Sequence, residues 1–132
     1  MARGIDEKDI VVEFASRKQV PEKLAACDWG ISFIKPSYSK TASSPTKMGE
    51  MLAMGIPLVV NGNVGDVKEI THRTGGGICL DDFSAEQVTK AVNQVREGIQ
   101  PDPIVIRSKS FEIYSLEKAV KDYVSIYDSI LK

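Results

Sequence analysis

Short β-rich runs that alternate with helical patterns constrain the fold of this chain more than any other feature. Ile10-Val11-Val12-Glu13-Phe14 precedes a helical stretch from Val20 to Cys27, where Pro21 suits the first helical position. Trp29 to Ile34 is the next run. A polar loop from Lys35 to Ser44 then leads into a helical segment from Pro45 to Met54. Ser44 predicts the N-cap and Pro45 the first helical residue, with Met48, Met51 and Leu52 at helical spacing. Gly55 and Pro57 end that helix, and Pro57 to Asn61 forms a third run.

A further helix is expected from Val64 or Asp66 to His72, and Gly75-Gly76-Gly77 breaks the chain before a fourth run, Gly77 to Leu80. Ser84-Ala85-Glu86-Gln87 predicts a capping box whose helix carries Val88, Ala91, Val92 and Val95 on one face. Gly98, Pro101 and Pro103 mark a connection. A last helix from about Leu116 places Leu116, Val120, Tyr123, Tyr127 and Ile130 at steps of four and three.

Strands that alternate with helices imply a parallel sheet covered on both faces. The expected architecture is therefore α/β, a Rossmann-like three-layer sandwich with a mainly parallel sheet of about four strands. Right-handed crossovers then place the loops 35–44, 61–66 and 81–84 on one sheet edge, where such folds bind ligands. With 132 residues the chain fits one domain. Its 17 basic and 18 acidic side chains argue against a surface held mainly by nucleic-acid phosphates.

The run Ile56 to Val60 is too short to span a bilayer, and residues 1–6 contain no apolar stretch of the signal-peptide kind. Cys27 and Cys79 sit beside apolar segments and are expected as reduced core residues. One histidine, His72, and no close cysteine pair leave no zinc-ligand pattern, and no metal is expected. At a helix end His72 suits a cap better than catalysis.

Ser43 to Pro57 carries the most chemistry. Lys47 and Glu50 share one face of the expected helix, Lys47 beside the free N–H groups of the first turn, which favour an anion. Glu50, one turn deeper, can accept hydrogen bonds from hydroxyls such as a ribose supplies. A phosphate site followed by a diol acceptor is what a nucleoside diphosphate needs. The same spacing also suits a solvated Lys-Glu pair on an ordinary helix.

The loop Asn61-Gly62-Asn63-Val64-Gly65-Asp66 permits a close backbone approach to a ligand but lacks a G-x-G-x-x-G order, and it equally suits a plain strand-to-helix turn with Asp66 near the cap. Glu69 reads as helix surface and Asp81-Asp82 as turn residues. Tyr38 in the polar loop is a candidate base or sugar contact, whereas Trp29 suits the core.

Ser44-Pro45-Thr46-Lys47-Met48-Gly49-Glu50, running into Met51 to Val60, resembles the donor-binding signature of retaining glycosyltransferases with the GT-B fold, in particular the group 1 (glycogen-synthase-like) enzymes. Leu24 to Phe33, Gly65 to Ile70, Gly76 to Leu80 and Phe111 to Leu131 are similar to successive segments of that family, in the same order. The resemblance implies a single, truncated nucleotide-sugar-binding domain over residues 1–132, with residues 112–132 as the closing helix.

It further implies donor-binding roles for Ser44, Thr46, Lys47, Glu50, Gly65 and Asp66, with Lys47 on the diphosphate and Glu50 on the ribose. No cofactor or metal is implied, and the catalytic residues are not identified. Ala42 stands where many members carry a second Glu near the transferred sugar. The implied whole is a cytoplasmic hexosyltransferase of polysaccharide or glycoconjugate synthesis, able to sit peripherally on a membrane. Its N-terminal acceptor domain and the first two donor-domain strands are missing here, so this part alone is expected to be inactive.

The lost strands would leave a sheet edge open. Inward pairing of Val11–Phe14 with Gly30–Phe33 is the expected repair, and a dimer across that edge is the other. A non-catalytic nucleotide- or phosphosugar-binding module is the alternative function. A receiver-like signalling domain fits less well, because neither Phe14-Ala15-Ser16 nor Lys35-Pro36-Ser37 supplies its acidic residues.

Overall fold

The computed structural model describes residues 4–98 and 100–131. Residues 1–3, read above for a leader segment, and residue 132 at the end of the closing helix lie outside the described residues. A three-stranded parallel sheet in the order β1-β2-β3 forms the centre: β1 is Gly30–Ser32, β2 Leu58–Asn61 and β3 Gly77–Leu80. Ile31 pairs with Val59, and Val59 with Ile78.

The helices are α1 (Val20–Leu24), α2 (Thr46–Ala53), α3 (Val67–Thr74), α4 (Ala85–Arg96), α5 (Pro103–Tyr114) and α6 (Leu116–Ile130). Strand side chains alternate in direction. Leu58 and Val60 point into a core with Met48 and Leu52 of α2, Val67 and Ile70 of α3 and Ile106 of α5. Val59, with Ile31 and Leu80, points to the other face, toward Val88, Ala91, Val92 and Val95 of α4.

The expected fourth strand is absent from the sheet. Ile10–Phe14 is not a strand, and no ladder joins it to β1, so inward pairing does not occur. Val12 and Phe14 are each 90% exposed. A β-branched run becomes a strand only when a ladder takes it up. Here the segment leads into α1, whose Val20, Pro21 and Leu24 face Ala53 and Met54 of α2 across a cleft. Glu13 is instead tied to Lys23 of α1.

A second correction is α5, which replaces most of the expected Pro-rich connection. Asp102 caps it, accepting the Ile104 N–H at 2.8 Å, and Pro103 occupies the first turn, where a missing N–H costs nothing. The helix lies across α2 and α3 and buries Ile106 and Ser110. Pro45 rather than Ser44 precedes the first residue of α2, with ψ at 115° and no side-chain cap. Gly55 ends α2 at φ +78°, as its position predicted.

The Ser84 hydroxyl accepts the Gln87 N–H, but Gln87 does not complete the box: its carbonyl oxygen takes the Asp81 N–H at 2.8 Å. Cys27 is exposed rather than in the core, and Cys79 is half-buried beside it. Among the described residues no helix is long and apolar enough to cross a membrane.

Candidate functional site

The three loops that follow the strands are bonded to one another, as their shared sheet edge requires. The Gly65 N–H donates to the Lys40 carbonyl at 3.0 Å, joining the first loop to the second. The Asn63 side-chain amide donates to the Asp81 carbonyl at 2.8 Å, joining the second to the third. Lys68 reinforces that junction through Asp81 at 2.6 Å, a contact that raises the Lys68 pKa above its ordinary value. Asn61, buried at the end of β2, donates to the Ile34 carbonyl and accepts the Ile34 N–H, both at 2.9 Å. That pair continues the β1–β2 register beyond the ladder and fixes where the first loop starts.

Two groups of the expected residues come together at this edge. Gly65 packs onto Ser43 so closely that a Cβ would fall on the Ser43 carbonyl oxygen, and its φ is +41°. This contact sets the start of α3 against the start of α2. Tyr114, at the end of α5, lies over Gly49 with Ser44 and Asp66 beside its phenol. Burial raises the Tyr114 pKa and the nearby Asp66 charge raises it further, while the Ser44 hydroxyl opposes both. One carboxylate oxygen of Asp66 is buried without a hydrogen-bond partner among the described residues.

Glu50 faces a different space, a cleft of about 470 Å³ against α1. Its walls are Val20, Pro21 and Leu24 of α1, Ala53 and Met54 of α2, and two arginines, Arg17 and Arg107. The volume is in the range that holds a small-molecule ligand. A carboxylate and two guanidiniums lining one cleft offer hydroxyl recognition and anion binding in the same space. Lys47 stands one turn nearer the start of α2, exposed on the Glu50 side of the helix, and Thr46 is exposed beside it.

Tyr38 belongs to neither group. It sits in a short 3-10 turn, Tyr38–Lys40, and is 95% exposed. Trp29 is half-buried on the α4 face of the sheet, away from these loops. His72 lies in the last turn of α3, and Glu69 pairs with Arg73 on its surface at 3.3 Å.

Sequence reasoning missed Arg17, Arg107 and Tyr114. The two residues on α5 were hidden with their helix. Arg17 sits just ahead of α1, which faces α2 across the cleft, an approach that has no signature in spacing. The N-cap at Asp102 followed by Pro103 was the available signal for α5. Compared with known proteins, the chain matches no family model, no curated protein and no solved structure.

Proposed function

We propose that this chain is the donor-binding part of a GT-B glycosyltransferase, holding a nucleotide-sugar whose sugar passes to an acceptor in polysaccharide or glycoconjugate synthesis. One observation carries the reading: the helix with the donor-like signature turns Glu50 into a cleft that also holds Arg17 and Arg107. In this reading Glu50 accepts hydrogen bonds from the ribose diol. Lys47, the N–H groups at the start of α2 and the two arginines neutralise the diphosphate, without a metal ion. The reading assigns Ser44 and Thr46, at the start of α2, to the approach and the Gly65–Asp66 turn to the sugar. Transfer itself requires an acceptor domain facing this edge.

Calorimetric titration of the chain with UDP, GDP and ADP tests the reading. Binding of at least one is expected in the millimolar range, since a one-sided cleft orders the ligand with few contacts. Lys47→Ala and Glu50→Ala each remove a charge-assisted hydrogen bond, costing about 1.5–3 kcal/mol. Equal affinity in the parent chain and both variants would overturn the assignment.

A further inference from the structure

Of the three asparagines in the sequence, only Asn61 precedes a glycine; Asn63 precedes Val64 and Asn93 precedes Gln94. An Asn-Gly pair is open to attack by the glycine backbone nitrogen on the asparagine side-chain carbon, because glycine has no Cβ to hinder the approach. The pair is also central to the fold. β2 is the middle strand of the sheet, Asn61 is its last residue, and Gly62 follows it directly.

In the folded chain the two reacting groups are held apart. The Asn61 side chain is 2% exposed and bonded to the segment after β1, donating to the Ile34 carbonyl and accepting the Ile34 N–H, both at 2.9 Å. The Gly62 N–H is bonded on the opposite side, to the Leu80 carbonyl of β3 at 2.8 Å. Electrophile and nucleophile thus face opposite neighbours of one strand. Attack requires both sets of bonds to open, which frees the end of β2 from β1 and β3 together.

We propose that Asn61 is a deamidation site gated by opening of the sheet, and that the reaction keeps this end of the sheet from closing again. In the open state the Gly62 nitrogen gives its proton to hydroxide and bonds to the Asn61 side-chain carbon. The bond from that carbon to the amide nitrogen breaks, and the nitrogen takes a proton from water and leaves as ammonia. A cyclic imide remains. Water then adds to either of its carbonyls and opens the ring to aspartate or isoaspartate. No electrons are transferred, and solvent water is the only co-reactant.

Neither product can remake the native contacts. A carboxylate has no proton to give the Ile34 carbonyl, and it sets a negative charge against that oxygen in a buried place. In isoaspartate the backbone runs through the former side chain, so the Gly62 N–H is also displaced from Leu80. The first loop then loses the bonds that fix where it starts. The chemistry uses nothing from the Glu50 cleft and stands independently of the donor-binding reading.

Peptide mapping by mass spectrometry, after incubation at mildly alkaline pH, reads conversion at each asparagine of the full chain. In urea above the unfolding transition, Asn61 is expected to convert ahead of Asn63 and Asn93. Without urea, conversion at Asn61 is expected to be at least about a hundredfold slower, since the open state of a central strand is rare. Both the converted chain, returned to buffer, and the Asn61→Asp variant are expected to lose hydrogen-exchange protection at Ile34. Equal rates with and without urea overturn the gating, and an unfolded chain in which Asn61 lags the other asparagines overturns the site. Both of those measurements use the unaltered chain, so they hold even if the variant does not fold. Protection at Ile34 that survives in the converted chain overturns the block on closing.

Discussion

Gly65 is held by three constraints at once: its φ of +41°, its N–H on the Lys40 carbonyl, and its contact with the Ser43 carbonyl. A side chain there must push the first loop away from α3, because the atom it meets is backbone. Gly65→Ala is therefore expected to destabilise the fold by about 1–3 kcal/mol in urea unfolding. Tyr114 offers a spectroscopic test of the same corner. Its raised pKa means that the folded state keeps the phenol proton longer than the unfolded chain does. Stability then falls as pH rises from the ordinary tyrosine value, about 10, through the folded value. The alkaline absorbance titration should contain a late component that Tyr114→Phe removes. Asp66→Asn should move that component to lower pH, and an unmoved component would place Asp66 elsewhere. Lys47 and Glu50 were legible from their spacing on one helix. Arg17 and Arg107 were not, because the segment before α1 and helix α5 bring them to the cleft from elsewhere in the sequence.

At the scale of elements, the three strands of the sheet and the helices between them follow from local pattern, since each has a bounded apolar run and a turn signal. The two errors differ in cause. Ile10–Phe14 was expected as a strand from its β-branched run, but it finds no ladder and stays exposed. α5 lies just past the connection that Gly98, Pro101 and Pro103 marked; it forms because Asp102 caps it, Pro103 fits its first turn, and Ile106 docks into the core. Leu52 shows where that core is least tolerant, being fully buried between α2 and the sheet. Leu52→Ala should cost about 2–5 kcal/mol, read as a lower urea midpoint at unchanged slope. Asn61→Ala removes two hydrogen bonds to Ile34 and is expected to cost about 1–3 kcal/mol. Its effect should be largest on hydrogen exchange at Ile34 and in the loop that follows, and uniform protection along β1 would contradict that role.

Across the whole molecule, the sheet divides the chain into two unlike sides. The α2–α3–α5 layer is packed and carries the loop junctions, the Tyr114 corner and the Glu50 cleft. The α4 side is only partly covered and carries an apolar groove. On the packed side, the proposed donor site comprises the start of α2 with Glu50, Arg17 and Arg107, and a nucleoside diphosphate is expected there. Backbone chemical-shift mapping with UDP, GDP and ADP tests it most directly, because it locates the ligand rather than only detecting it. For the nucleotide that binds, the largest shifts are expected at Ser44 to Glu50 and around Arg17 and Arg107. Shifts that cluster away from these residues for all three nucleotides, or no shifts at all at millimolar ligand, would contradict it.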